Sequence, residues 1–179
     1  MVDSPLPDLQ KYIRNVPDFP KKGIVFRDIT TLLQDPVVFR DTIDFICDRY
    51  KHGKIDKIIA IESRGFIFGS VLAYKLGCGF VPVRKPNKLP GVKIRQEYQL
   101  EYGVDALEIH TDAVSKGERV LIVDDLLATG GTGTATCKLV ESLGGEIVGL
   151  FFLIELLFLH GREKLKGYNV FSIITYDKE

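Results

Sequence analysis

The chain has 179 residues, and its 24 Lys and Arg balance 24 Asp and Glu, so the formal net charge is zero. About one domain is expected at this length, and a balanced charge argues against a dedicated nucleic-acid binder, which is usually basic. The most apolar run, residues 147–159, is interrupted by Glu155 and is too short to span a membrane, which needs about 20 apolar residues.

Strand and helix patterns alternate along most of the chain. In order, they are a helix over 36–50, a strand over 57–61, a helix over 66–76, a weaker strand over 80–83, a strand over 120–123, a helix over 135–143, a strand over 147–154 and a weaker strand over 170–175. Asp35 is expected to cap the first helix, with Pro36 at its first position. Short runs of Ile and Val without alternation indicate strands that are covered on both faces. We therefore predict an α/β fold with a doubly wound, mainly parallel sheet.

Two segments do not fit this core of the single expected domain, residues 1–179. Residues 1–34 contain several prolines and are expected to form a small N-terminal hood. Residues 84–110 are long, polar and charged, which is typical of a functional or mobile connection. We expect a long flexible loop there, with a hairpin as one form it could take, that closes over a site or contacts a partner subunit.

The three cysteines, Cys47, Cys78 and Cys137, are far apart, and no pair has the spacing of a metal site or a redox motif. Residues 1–8 include two prolines and no apolar stretch, unlike a secretory signal. Reduced thiols and no signal predict a cytoplasmic location.

The most informative stretch follows the strand over 120–123. It ends in Asp124 and Asp125, and a short turn with two threonines and two glycines leads into a helix. Ligands bind beyond the carboxyl ends of parallel strands. Glycine N–H groups and a helix N-terminus suit a phosphate, while the two carboxylates suit hydroxyl groups. A phosphate next to a diol describes a ribose 5-phosphate, and the motifs of P-loop NTPases and dinucleotide-binding folds are absent.

Residues 120–132 resemble the phosphoribosyl pyrophosphate (PRPP) binding motif of the type I phosphoribosyltransferases. Further segments are similar to the members of that family that act on adenine: 17–20, 23–28, 62–66, 84–91, 100–103 and 161–165. The resemblance spans about residues 16–165. It implies a purine-salvage enzyme that transfers the 5-phosphoribosyl group from PRPP to N9 of adenine, giving AMP and pyrophosphate. It also implies a need for Mg²⁺ and a homodimer.

The resemblance implies roles for individual residues. Asp124 and Asp125 would bind the ribose hydroxyls and favour positive charge on the sugar ring, and Glu101 would be the general acid or base. The 5-phosphate would be bound by Ala128, Thr129, Gly130, Gly131 and Thr132. The pyrophosphate would be bound by Ser63, Arg64, Arg84, Lys85, Lys88 and Tyr102. Adenine would be bound by Val25, Phe26, Arg27 and Leu126. Mg²⁺ would be held mainly by PRPP and water, with no direct protein ligand.

Two other functions stay open at this point. A transferase for guanine, hypoxanthine or xanthine would need a donor where adenine's amino group needs an acceptor. A regulator that senses PRPP without catalysis would need a nucleic-acid-binding element, and neither an extra domain nor a basic recognition helix is evident in the sequence.

Overall fold

The computed structural model describes residues 6–99 and 103–178, which divide into two compact units. One unit covers the described chain up to Tyr50, and the other runs from Lys51 to Lys178. The first unit thus extends beyond the expected hood at 1–34, because the helix that follows packs on the short helix before it. The domain organisation inferred from the sequence stays a prediction.

The N-terminal unit is a short antiparallel hairpin followed by two helices. Its elements are a 3₁₀ helix (Leu9–Tyr12), β1 (Arg14–Val16), β2 (Phe26–Asp28), α1 (Thr30–Gln34) and α2 (Pro36–Tyr50). The Asp35 carboxylate accepts hydrogen bonds from the N–H groups of Val37 and Val38, both at 3.0 Å, so the predicted N-cap of α2 is confirmed.

Asp28 links the β1–β2 hairpin to α1 through hydrogen bonds, and we expect the stability of the chain to fall at acidic pH as this carboxylate becomes protonated. Its carboxylate accepts hydrogen bonds from the Thr30 hydroxyl, from the Thr30 N–H at 2.9 Å and from Arg14 Nε at 3.0 Å, and these lower its pKa from 3.8 to about 2. The stabilisation is present above the ordinary pKa of 3.8 and is lost as the pH falls through about 2.

Asp28→Asn should therefore lower the denaturant midpoint at about pH 6, and the difference from wild type should shrink between about pH 4 and pH 1. Asp41→Asn is the control, because the Asp41 side chain is 39% exposed and pairs with its neighbour Arg40 in the contacts that the structure gives it. A loss in Asp28→Asn that is the same at every pH would contradict the assignment.

The second unit is built on a parallel sheet. Its elements are β3 (Lys57–Ile61), α3 (Gly65–Leu76), β4 (Gly79–Val83), β5 (Lys93–Gln99), β6 (Val104–His110), β7 (Arg119–Leu127), α4 (Gly131–Ser142), β8 (Glu146–Leu156), 3₁₀ helices at Leu157–Leu159 and Gly161–Leu165, and β9 (Val170–Tyr176). The sheet has the strand order β4-β3-β7-β8-β9 with every pairing parallel. Right-handed crossovers that run outward in opposite directions from the β3–β7 pair place α3 and α4 on opposite faces. The predicted doubly wound α/β fold is confirmed.

The order of connections reverses between β3 and β7, so a crevice for ligands is expected beyond the carboxyl ends of these two strands. Both strands are buried, and Ile59 and Ile122 are fully inaccessible. The core therefore holds in place the two turns that follow these strands.

The segment over 84–110 contains the antiparallel β5–β6 hairpin. Leu107 and Ile109 on β6 are completely buried in the main core, so this half of the segment is anchored by packing. A loop over the whole range would expose them. The flexibility of the rest stays a prediction.

The helix after β7 begins at Gly131, four residues before the predicted start at residue 135. The reason is the run of Gly and Thr at 131–134, which has low helix propensity and no apolar periodicity. Tertiary packing overrides that propensity: Gly131 and Gly133 are buried. The segment predicted to bind phosphate thus includes the first helical turn.

All three cysteines are free thiols, with Cys47 and Cys137 buried. Within residues 6–99 and 103–178, we find no helix with both the length and the apolar character needed to cross a membrane.

Candidate active site

A pocket of about 390 Å³ opens at the carboxyl edge of the parallel sheet, beyond β3 and β7. The sequence-predicted residues that line it are Ser63, Arg64, Lys85, Asp124, Asp125, Leu126, Ala128, Thr129, Gly130 and Thr132. Its place is the switch point of the sheet, where this class of fold binds ligands. The structure therefore brings together residues that are far apart in the chain.

The two adjacent carboxylates are at the floor of this site. The Asp124 and Asp125 residues are 8% and 5% exposed. The Asp125 carboxylate forms an ion pair with Arg64 Nε at 2.7 Å. The Asp125 N–H donates a hydrogen bond to Asp124 Oδ1 at 2.9 Å. Gly130 occupies the N-cap position of α4, so the alternative role of Asp125 as a helix cap is not the one it has here.

Burial raises the pKa of Asp124 well above 3.8, and the neighbouring Asp125 charge raises it further. Burial also raises the pKa of Asp125, although the Arg64 guanidinium lowers it in part. Asp125 is therefore the acid that ionises more readily, and Asp124 gains its charge at a higher pH.

This arrangement predicts an acid limb in the pH profile of kcat/KM for PRPP. Activity should fall as the pH drops through an apparent pKa that belongs to the pair and lies above 3.8, because Asp124 becomes protonated. Asp124→Asn should remove the limb or move it to lower pH, since the like charge beside Asp125 is gone.

The measurement is the position of the limb in variants compared on the same substrate, because PRPP itself titrates. Asp56→Asn is the matched control: Asp56 accepts the Arg119 N–H at the opposite edge of the sheet. An identical limb in wild type and in both variants would show that the pair does not set it.

The turn before α4 presents bare backbone. Gly130 has φ +77° and a Cβ there would overlap the Gly161 carbonyl oxygen, while a Cβ on Gly131 would lie 2.9 Å from Tyr98 Cδ2. The Gly130 carbonyl accepts hydrogen bonds from the Thr134 N–H at 3.0 Å and the Thr134 hydroxyl at 2.8 Å. A turn held in this way at the positive end of a 12-residue helix is suited to an anion.

The turn after β3 has a cis peptide bond between Glu62 and Ser63. Glu62 accepts hydrogen bonds from Arg84 Nε at 3.1 Å, from the Lys85 N–H at 3.0 Å and from the Lys88 ammonium. Burial raises the pKa of Glu62, but these donors outweigh it and hold the pKa below its usual value. Arg84 and Lys88 are thus paired with an acid, and neither is among the residues that line the pocket.

Lys85 does line the pocket, and its ammonium pairs with Asp105 on β6. The same Asp105 oxygen accepts the Tyr98 hydroxyl at 3.2 Å. Burial and the Asp105 charge raise the pKa of Tyr98 to about 12, so the phenol stays a neutral hydrogen-bond donor. The Tyr98 ring lies against Gly131. This contact joins the β5–β6 hairpin to the turn over 128–132, which is predicted to bind the 5-phosphate and is called the phosphate turn below.

Sequence reasoning missed Tyr98, Asp105 and the acid role of Glu62. The signal for Tyr98 is alternation on β5, where Ile94, Gln96 and Tyr98 are half-buried and the residues between Ile94 and Tyr98 on the other face are exposed. No local pattern points to the two acids, because each is identified only by the cation that the fold brings to it.

The proposed adenine residues lie in both units. Val25, Phe26 and Arg27 belong to the N-terminal unit, where the Phe26 ring meets Phe19 edge to face at 5.2 Å. Leu126 lines the pocket of the second unit. Glu101 and Tyr102 lie outside the described residues, so their roles stay predictions.

No group of three or more His, Cys, Asp or Glu side chains suited to a metal ion occurs in the described part of the chain. The carboxylates that line the pocket are Asp124, Asp125 and Glu62, of which Asp125 already binds Arg64 and Glu62 binds Arg84, Lys85 and Lys88. This donor set suits Mg²⁺ that arrives with a phosphate ligand and keeps its waters, rather than a resident ion.

The parallel sheet, the paired acids at its carboxyl edge and the glycine turn together define a type I phosphoribosyltransferase. A family model described as "Phosphoribosyl transferase domain" matches residues 28–178. An adenine phosphoribosyltransferase of Solibacter usitatus is 59% identical over 173 residues, which cover 97% of this chain and all of that protein. The chain belongs to the adenine phosphoribosyltransferase family.

Solved structures agree with this placement. The crystal structure of adenine phosphoribosyltransferase from Thermoanaerobacter pseudethanolicus has a TM-score of 0.93 and 56% identity, covering 96% of this chain and 100% of that chain. The Saccharomyces cerevisiae enzyme, complexed with an imino-altritol bisphosphate and adenine, has a TM-score of 0.88 and 43% identity, covering 92% and 95%. The family resemblance drawn from the sequence motifs is confirmed.

Proposed function

We propose that the pocket beyond β3 and β7 binds PRPP and is where the chain transfers the 5-phosphoribosyl group to N9 of adenine. The products are AMP and pyrophosphate, and the reaction salvages a free purine base. The observation that carries the assignment of the site is the buried Asp124–Asp125 pair beside a glycine turn that opens a helix. The yeast relative that binds adenine with an imino sugar bisphosphate supports it.

Asp124 and Asp125 accept hydrogen bonds from the ribose 2- and 3-hydroxyls. As the bond from C1 to pyrophosphate breaks, positive charge grows on the ring, as in glycoside chemistry. Carboxylates fixed by the core and by Arg64 stabilise that charge without having to reorganise. Their low exposure strengthens the interaction, because little water screens it.

The 5-phosphate binds to the turn over 128–132. Backbone N–H groups and the positive end of α4 provide the attraction, while the Thr129 and Thr132 hydroxyls add donors. No cationic side chain is needed at this end of the substrate, so the lysines and arginines are left for the pyrophosphate.

Pyrophosphate binds on the side of Arg64, Lys85 and Ser63, which line the pocket. To reach it, Lys85 exchanges its partner Asp105 for a phosphate oxygen. Arg84 and Lys88 make the equivalent exchange at Glu62, and Tyr102 adds a contact. Such charge-assisted bonds are strong because both partners are ionised.

Magnesium accompanies the substrate. It would be held by the PRPP oxygens and water, and it would neutralise charge on the pyrophosphate leaving group. On the protein side, the Asp124 and Asp125 carboxylates and the cations named above would set the net charge around a complex of PRPP with Mg²⁺.

Adenine is held by stacking and by backbone contacts. Phe26 stacks on the base, the Val25 carbonyl accepts a hydrogen bond from the exocyclic amine, Arg27 contributes backbone groups and Leu126 covers the other face. Glu101 is the group assigned to proton transfer at N7 or N9 of the base. A carbonyl acceptor favours a 6-amino over a 6-oxo purine, because the latter presents a second acceptor.

The deciding assay is AMP formation from adenine and PRPP, with and without Mg²⁺, against a panel of adenine, guanine, hypoxanthine and xanthine. Adenine should be the best base, and removal of Mg²⁺ should stop the reaction. A reversed base order would assign the site to a 6-oxopurine, and PRPP binding without turnover would favour a regulator.

A homodimer with two-fold symmetry is expected, because this is the commonest closed assembly and the segment over 84–110 offers more polar contacts than one site needs. Sedimentation equilibrium at micromolar concentration should give twice the chain mass of 20.1 kDa. A species of single-chain mass at all concentrations would contradict it. A cytoplasmic location likewise stays a prediction.

A further inference from the structure

An ion pair between a buried carboxylate and an exposed arginine lies outside the pocket that the proposed mechanism uses. The Glu155 side chain, near the end of β8, is only 2% exposed. Arg162 binds both of its carboxylate oxygens, with Nε at 2.8 Å from Oε1, and Ser172 of β9 donates its hydroxyl to Oε2. Arg162 also donates to the Val170 carbonyl at 2.8 Å. The guanidinium therefore has a fixed orientation.

Arg162 follows Gly161, and Gly161 is in direct backbone contact with the phosphate turn. A Cβ on Gly161 would overlap the Ala128 carbonyl oxygen and would lie 2.8 Å from the Gly130 nitrogen. From the other side, a Cβ on Gly130 would overlap the Gly161 carbonyl oxygen. The two chain segments touch through bare backbone, with no side chain to absorb a displacement.

Two more contacts join the same segments. The Thr134 hydroxyl, which binds the Gly130 carbonyl, is 3.4 Å from the Lys164 carbonyl oxygen. Leu165 is buried against the first turn of α4, where a Cβ on Gly133 would meet it at 3.4 Å. The short 3₁₀ helix Gly161–Leu165 is therefore a support for the phosphate turn.

We propose that Glu155, Arg162 and Ser172 are positioning residues: they hold Gly161 against Ala128 and Gly130, and so set the shape of the turn that receives the 5-phosphate. This inference rests on the function proposed for that turn. Glu155 is suited to the task because it lies opposite Leu127 in the β7–β8 register, one residue before the turn begins. The ion pair thus connects the sheet edge to both sides of the turn.

The chemistry of the pair explains why Arg is required. Burial raises the pKa of Glu155, but the donors Arg162 and Ser172 outweigh it, so the pKa is lowered and the carboxylate stays ionised. A planar guanidinium can bind both carboxylate oxygens, a carbonyl and a hydroxyl at once, whereas an ammonium has one donor centre. Arg162→Lys should therefore restore only part of the effect of the arginine.

The experiment compares Arg162→Met with Arg119→Met in the full chain. Arg119 is the matched control, because it also binds a carboxylate and backbone carbonyls, but at the opposite edge of the sheet. Calorimetry should give a Kd for ribose 5-phosphate that rises roughly tenfold or more in Arg162→Met, with the Kd for pyrophosphate nearly unchanged. KM for PRPP should rise in parallel, Arg162→Lys should lie between, and Arg119→Met should match wild type.

A second variant tests whether the contact of Gly161 with the phosphate turn matters, even where Arg162→Met does not fold. Gly161→Ala leaves the ion pair intact, and Gly161 is not in the left-handed region, so the added methyl tests the contact alone. It should cause the same selective loss of ribose 5-phosphate binding. Gly79→Ala is its control, because the nearest contacts of a Cβ there are the flexible Lys57 side chain at 3.2 Å and the Asp56 carbonyl oxygen at an ordinary 3.6 Å.

Unchanged ribose 5-phosphate binding in Gly161→Ala, or equal losses of ribose 5-phosphate and pyrophosphate binding in folded Arg162→Met, would overturn the positioning role alone. Failure of the wild-type chain to bind ribose 5-phosphate would overturn the function proposed for the turn, and this inference with it.

Discussion

Replacement of both Asp124 and Asp125 by Asn should lower turnover by roughly three orders of magnitude or more, while the fold survives. The reason is that Asn keeps the size and a hydrogen-bond acceptor but cannot stabilise positive charge on the ribosyl ring. Both carboxylates line the pocket, and both are buried. The loss should therefore be mainly in kcat.

The thermal stability of this double variant should rise or stay unchanged. Burial raises the pKa of both acids, which means that their ionised forms are unfavourable in the folded chain at neutral pH. The amide that replaces the Asp125 carboxylate would still accept the Arg64 hydrogen bond through its oxygen. The thermal midpoint should equal or exceed that of wild type, as is common when an active site has been optimised for function.

The control for this double variant is Asp41→Asn with Asp112→Asn, which removes one half-buried and one exposed charge away from the pocket. It should have wild-type kinetics. A kcat/KM for Asp124→Asn with Asp125→Asn that equals this control would remove both residues from the mechanism.

Gly130→Ala should be the most damaging single change in the phosphate turn. Two effects combine: φ of +77° is unfavourable for a residue with a Cβ, and that Cβ would overlap the Gly161 carbonyl oxygen. The turn has to move away from Gly161, so KM for PRPP should rise by roughly a hundredfold.

Gly77→Ala separates the two effects. Gly77 ends α3 with φ +68°, and a Cβ there has nothing within 4 Å, so the variant carries the backbone strain without the collision. It should lose about 1 kcal/mol of unfolding free energy and keep wild-type kinetics. Equal KM values for PRPP in the two alanine variants would mean that the contact with Gly161 is unimportant for binding.

The sequence predicts β3 at its observed bounds but predicts β7 and β8 too short, over 120–123 and 147–154 instead of Arg119–Leu127 and Glu146–Leu156. Residues 57–61 form β3 at the predicted bounds, because a run of Ile and Ala covered on both faces leaves no ambiguity of period. The start of the helix after β7 is harder to predict, because Gly131 and Gly133 have low helix propensity and become helical through packing. Local propensity and tertiary structure disagree there, at the functional turn.

The candidate site divides in the same way. Asp124 and Asp125 lie near the carboxyl end of β7 and Arg64 follows β3, so their meeting at one sheet edge is predictable from the fold class. Tyr98, Asp105 and Gly161 come from the hairpin and from a turn between β8 and β9. Tyr98 and Gly161 meet the turn over 128–132 and Asp105 binds Tyr98, and these contacts depend on how distant segments pack.

The pairing of Glu62 and Asp105 with the cations that we assign to the pyrophosphate has a consequence for selectivity. A bare cluster of lysines and arginines would attract every abundant anion in the cell, including inorganic phosphate and nucleotides. Here an incoming ligand gains only the difference between its own contacts and the carboxylate contacts it displaces. A weakly charged anion has little to gain, whereas a densely charged diphosphate can displace both acids at once. With the proposed function, this exchange of carboxylates for phosphate oxygens favours a ligand that carries a diphosphate over an anion with a single charge.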